Sequence, residues 1–245
     1  MTRYRLVIEY DGAGFAGWQR QDNGPSVQAT LEEAVRRFCG EAATLHAAGR
    51  TDAGVHALGQ VAHLDLAKET DVDTLRDAVN FHAKPAPVAV LSAERVGDDF
   101  HARFSATRRR YLYRIVNRRA PLVLDRGSAW FVPVPLDSAA MDAGARQLIG
   151  RHDFTSFRAS DCQAKSALKT LDVLTVEREG AEIRVAAEAR SFLYNQVRIM
   201  VGTLRLVGEG KWRPDDMARA LAARDRGAAG PTAPPYGLFF LGADY

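Results

Sequence analysis

One stretch, Gly49-Arg50-Thr51-Asp52-Ala53-Gly54-Val55-His56-Ala57, concentrates groups that can do chemistry. A single carboxylate is bracketed by glycines and alanines, and small residues in a loop let a bulky ligand approach the backbone closely. Arg50 and His56 place a cation and an imidazole on either side of Asp52. A lone carboxylate in that setting is either a nucleophile or charge-stabilising group, or the side chain of an Asx-turn between two strands. Composition does not choose between them. A second candidate is Asn195-Gln196-Val197-Arg198, in a helical pattern whose neighbours Leu193, Ile199, Met200 and Val201 are apolar. A buried guanidinium needs a carboxylate partner, for which Asp52 is a candidate; the alternative is an Arg198 at the rim of the apolar face with its head in water.

Other chemistries fit less well. An aspartic-protease reading wants Asp-Thr-Gly twice, whereas Thr51-Asp52-Ala53-Gly54 occurs once and in the wrong order. Asp52, His56, His63 and Asp65 are metal-ligand types, but they have no second cluster and no helical spacing, which favours a structural role. Gly12-Ala13-Gly14 lacks the third glycine of a dinucleotide fingerprint, and no GxxxxGK[ST] loop occurs. No cofactor or metal is expected. Cys39 and Cys162 stand too far apart in sequence to suggest a thiolate site.

The chain has 245 residues, with a net charge of only +3, but 28 of its 33 basic side chains are Arg. Guanidinium groups suit bidentate phosphate contacts and stacking on bases. They concentrate in RFSATRRRYLYRIVNRR, residues 103–119, with seven Arg, two Tyr and no acid. Cations interleaved with aromatics are what single-stranded RNA binding requires, and Arg108, Arg109 and Arg110 together with Arg118 and Arg119 are the candidates to contact phosphates. The N-terminal MTRYRLVIEY alternates like a strand, and no apolar run reaches about 18 residues. A soluble, cytoplasmic protein with free thiols and no membrane partner is the expectation.

These residues need elements to hold them. Alternation predicts a strand over Tyr4–Tyr10, ending at Asp11-Gly12. Ser26 and Gly40 bound a helix with apolar Val27, Leu31, Ala34, Val35 and Phe38. Strands are expected at Gln60–Leu66, Val88–Val96 and Arg110–Asn117, with a short helix over Asp73–His82 capped by Asp73. In the second half the pattern predicts a helix from Asp137 to about Ile149 and strands at Thr170–Glu177 and Glu182–Ala189. A helix over Tyr194–Val207, another begun by Pro214 and a strand at Leu238–Leu241 follow. The reading is an α+β chain of two similar lobes, 1–118 and 119–245, joined by a turn-rich link over about 118–136.

Five separated segments in this order, GRTDAGVHALGQVAHLDL, RRRYLYRI, DFTSFR, SFLYNQVRIMVGTL and the terminal YGLFFLGADY, closely resemble the tRNA pseudouridine synthase A family, over essentially the whole chain. The resemblance implies an isomerase that converts uridine to pseudouridine at positions 38, 39 and 40 of the tRNA anticodon stem-loop, without cofactor or metal, as a homodimer. It implies two lobes sharing a central, largely antiparallel mixed sheet flanked by helices, with a basic cleft between them. Carried onto this chain, the catalytic nucleophile falls on Asp52. Arg50 would displace the target nucleotide, Tyr111 would stack on the uracil, Arg198 would pair with the catalytic carboxylate and Leu238 would pack on the base. An RNA-binding module lacking activity and a metal-dependent nucleic-acid hydrolase are the competing classes.

Overall fold

The computed structural model describes residues 1–22, 24–160 and 162–245. Two compact units emerge: Met1–Thr107 with Phe239–Tyr245, and Arg108–Leu238.

In the first unit, alternation does what it predicts. Strand β1 (Thr2–Tyr10) sends Tyr4, Leu6, Ile8 and Tyr10 into the core. It lies antiparallel between β3 (His56–Leu66) and β4 (Val88–Val96). The short β2 (His46–Ala47) pairs antiparallel with β3, and β11 (Leu238–Asp244) runs parallel to β3 at Phe239 and Phe240, so the sheet is mixed. Helix α1 (Val27–Cys39) buries Val27, Leu31, Ala34 and Val35, with Ser26 accepting the Ala29 N–H at its start and Gly40 at its end. Helix α2 (Val72–Ala83) packs on α1 and on β4. Its cap is Asp71, not the expected Asp73: the Asp71 carboxylate accepts the N–H groups of Asp73 and Thr74 at 3.0 Å each. Asp73 therefore sits in the first turn, where its charge favours the helix dipole.

The second unit is built on β5 (Arg108–Asn117), β9 (Val173–Glu179) and β10 (Glu182–Ala189), an antiparallel set ordered β5-β10-β9. Helices α3 (Ser138–Arg146), capped by Asp137, α4 (Gln196–Gly208) and α5 (Asp216–Ala223) cover its core, making five α-helices among the described residues. The division of the chain differs from the expected one at 118. The strand β5 pairs along its length with β10, and the supposed linker contains β6 (Trp130–Val132), which runs parallel to β5 from Ile115 to Asn117. The β10 partner of β5, some seventy residues away and not visible in local composition, assigns β5 to the second unit, and β6 follows through its pairing with β5. A two-stranded pair, β7 (Gly150–Asp153) with β8 (Leu168–Leu171), was not anticipated. The α+β class holds in both units.

On the sheet of the first unit, the His63 imidazole stacks on His46 at 5.0 Å between centroids and meets His101 edge-on at 4.6 Å. Its Nδ1 accepts the Ala102 N–H at 3.1 Å. Burial drives the His63 pKa down to about 4, with His101, His46 and Arg3 pushing the same way and Asp65 opposing. The unfolded chain therefore takes up this proton near pH 6.5 and the folded chain only near 4, so stability falls as pH drops through that window. Urea unfolding is expected to show a loss of about 2 kcal/mol from this group between pH 7 and about pH 5, and His63→Leu should flatten that part of the slope.

Candidate active site

The loop carrying Asp52 joins β2 to β3 and has few side chains of its own to pack, so neighbouring elements hold it by its polar groups. The Thr51 carbonyl accepts the Trp18 N–H at 3.0 Å, and the Thr51 hydroxyl shares a 2.6 Å hydrogen bond with the Tyr10 hydroxyl. The Gly49 carbonyl accepts from Gln60 Nε2 at 2.8 Å. Just after Asp52 the chain turns back, closed by the Val55 N–H on the Asp52 carbonyl at 3.1 Å, with Gly54 at φ 77° in the left-handed region. The bend is thus closed through the Asp52 main chain. The Asp52 side chain is half-buried and Arg50 is exposed.

The Gly-rich segment after β1 is pressed against this loop. A Cβ on Gly17, itself at φ 112°, would stand 2.7 Å from the Thr51 oxygen and 3.2 Å from the Asp52 carbonyl carbon. One on Gly12 would stand 2.5 Å from the Val55 carbonyl carbon. His56, grouped with Asp52 in the sequence, is only 4% exposed; its Nδ1 accepts the Gly12 N–H at 3.0 Å and its ring stacks on Phe239 at 4.8 Å. That arrangement ties the end of the loop to the glycine segment, so His56 serves as a structural anchor.

The other sequence-selected residues belong to the second unit. Tyr111 lies on β5, 9% exposed, with its ring edge-on to Phe192 at 5.2 Å. Arg198, in the first turn of α4, donates from Nε to the Ala233 carbonyl at 2.8 Å and from a terminal nitrogen to Asn195 Oδ1 at 2.7 Å. Its own carbonyl accepts the Ala233 N–H at 3.0 Å. Arg198 is half-buried, and these neutral acceptors hold its head in place on a segment that leads to buried Leu238. The same segment is fixed to β5 by the Tyr113 hydroxyl, which donates to the Pro234 carbonyl at 2.8 Å.

The arginine run is less uniform than its sequence suggests. Arg109 is 8% exposed and its guanidinium donates to the Arg190 carbonyl. Arg108 pairs with Glu188 at 3.1 Å, and Arg114 with Glu182 at 3.0 Å and Asp125 at 3.4 Å. Arg110 is half-exposed and Arg119 exposed. Of the expected phosphate ligands, Arg109 is thus committed to the interior of its own unit, whereas Arg108 and Arg110 keep exposed surface.

Neither the Tyr10–Thr51 pair nor the Gln60 amide was selected from sequence, because alternation marks Tyr10 only as a core residue. Among the described residues, no group of three or more His, Cys, Asp or Glu is disposed to hold a metal ion, and no helix is long and apolar enough to cross a membrane.

The chain matches the protein family described as tRNA pseudouridine synthase over residues 6–105 and 145–245. It is 67% identical to the protein named tRNA pseudouridine synthase A of Paramagnetospirillum magneticum, over 100% of this chain and 96% of that protein. It is 62% identical to the protein of the same name from Rhodospirillum centenum, over the full length of both, and 58% identical to that from Parvibaculum lavamentivorans, again over both full lengths.

Proposed function

Because the chain belongs to the tRNA pseudouridine synthase family, we propose that it isomerises uridine to pseudouridine at positions 38, 39 and 40 of the tRNA anticodon stem-loop, with Asp52 as the catalytic nucleophile. The observation that carries this reading is the support of Asp52. A half-buried carboxylate stands on a loop whose backbone is gripped by Trp18 and Gln60 and whose Thr51 hydroxyl is held by Tyr10, next to an exposed Arg50.

The reaction breaks the bond from uracil N1 to the ribose, turns the base and joins its C5 to the same ribose carbon; C5 gives up a proton and N1 gains one, so nothing is added or lost. A carboxylate that attacks or neutralises the reacting unit, and surroundings that retain the freed base, meet that requirement. The target base must first leave the helical stack, at a cost of a few kcal/mol. Exposed Arg50 is the proposed group that displaces it. The Tyr111 ring is the proposed stacking partner, Leu238 an apolar contact to the base, and Arg198 the second cation of the catalytic set. Arg108 and Arg110 are proposed to contact phosphates. The working form proposed is a homodimer in the cytoplasm, on the strength of the family resemblance.

The test is an incubation of purified protein with unmodified tRNA transcript, chelator present and no cofactor added, followed by base-by-base mapping. Pseudouridine at 38, 39 or 40 is expected. Product confined to other positions, or formed only on adding a cofactor, would overturn the proposal.

A further inference from the structure

We propose that the Tyr10 hydroxyl is a positioning group for this reaction, setting through Thr51 the direction from which Asp52 addresses the substrate. The inference rests on the reading of Asp52 as the catalytic carboxylate and adds the residues that aim it.

The loop offers little packing of its own, so its placement depends on a few hydrogen bonds from behind. Two of them come from side chains on paired strands. Tyr10, on β1, meets the Thr51 hydroxyl at 2.6 Å, and Thr51 directly precedes Asp52. Gln60, on β3 and 0% exposed, donates to the Gly49 carbonyl at 2.8 Å. These two strands pair antiparallel, with Ile8 opposite Gln60 and, past a shift of register, Tyr10 opposite Ala57. A sheet therefore grips the chain at residues 49 and 51, on both sides of Arg50 and immediately before Asp52.

Gln60 Oε1 is buried without a hydrogen-bond partner among the described residues, so the Gly49 carbonyl is what the Gln60 amide holds. Tyr10 and Thr51 are themselves buried, so water cannot replace a lost hydroxyl without a cost that the interior magnifies. Burial also pushes the Tyr10 phenol up to about 12, so it keeps its proton across the working pH range. Its contribution is therefore geometric. Misplacing a reacting group by about 1 Å can cost about 10²-fold in rate.

Tyr10→Phe keeps the ring beside Trp18, at 6.1 Å between centroids, and removes only the hydroxyl. The expected result is a fall in kcat of about 10- to 100-fold, with KM for tRNA transcript within about twofold and an unchanged pH profile. Thr51→Val should reproduce the fall, Thr51→Ser should keep wild-type kcat, and the Tyr10→Phe/Thr51→Val double variant should fall no further than either single change. Should Tyr10→Phe not fold, the Thr51 pair decides the same question. The proposal is overturned if Tyr10→Phe and Thr51→Val retain kcat within about twofold while Asp52→Asn is inactive, or if their losses merely track the folded fraction. An active Asp52→Asn would instead remove the reading of Asp52 on which the inference rests.

Discussion

Asp52→Asn is expected to lower pseudouridine formation by about 10⁴-fold or more, while affinity for tRNA stays within about threefold. Asn matches Asp in size and planarity, and the bonds from the carbonyls of Gly49, Thr51 and Asp52 and from the Thr51 hydroxyl, which help shape the loop, do not use the carboxylate. What the substitution removes is a negative charge and a nucleophilic oxygen. When the bond from N1 to the ribose breaks, positive character develops at the sugar, and a neutral amide neither stabilises it well nor forms the ester that an attacking carboxylate would. Affinity for a folded RNA, by contrast, comes largely from phosphate contacts and their release of counterions. Two measurements separate these effects: release of the C5 hydrogen from labelled uridine in single-turnover mixtures, and a binding titration with the same transcript. Turnover near that of the wild type would remove Asp52 from the chemistry, and a parallel loss of binding would make its role structural.

The parts of this molecule that were legible in the sequence are those governed by near neighbours. Alternation exposed β1, because Tyr4, Leu6, Ile8 and Tyr10 recur with the period of a strand. Ser26 and Gly40 marked both ends of α1, because caps act within three residues. The loop at Asp52 stood out by its small residues. What stayed hidden was set by partners distant in the chain. The run from Arg103 to Arg119 contains no acid, yet Glu188, Glu182 and Asp125 meet Arg108 and Arg114 in space. Pairing of β5 with β10 lays Arg110 opposite Glu188, so a run that reads as free positive charge is partly neutralised once folded. The same pairing moved the boundary between units from 118 to 107. The α2 cap is a smaller case: the sequence points to Asp73, whereas the carboxylate that accepts the first-turn N–H groups is that of Asp71, two residues earlier. Tyr10 was hidden for another reason: a tyrosine on the buried face of a strand reads as core, and only the position of its hydroxyl against Thr51 gives it a second role.

Gly12→Ala should be a damaging single-methyl change near the site, and the reason is space. The Gly12 backbone is not in the left-handed region, so conformation alone would admit alanine. The added Cβ, however, would lie 2.5 Å from the Val55 carbonyl carbon and 2.9 Å from the Val55 nitrogen, and these are backbone atoms that no rotamer change can move aside. Either the segment at Gly12 or the turn from Asp52 to Val55 must give way. The first choice breaks the bond from the Gly12 N–H to His56; the second displaces the end of the loop that carries Asp52. A loss of about 2–4 kcal/mol in unfolding free energy is expected, together with a fall of about 10²-fold in kcat for the fraction that remains folded. Gly14→Ala supplies the control two residues away, since a Cβ there meets nothing within 4 Å. It should leave kcat unchanged and stability within about 0.5 kcal/mol. Urea unfolding curves and turnover measured on both variants decide the matter. Equal behaviour of the two would mean that the close packing of Gly12 on Val55 does not constrain the loop, whereas a stable but slow Gly12→Ala would show that the turn, not the glycine segment, had moved.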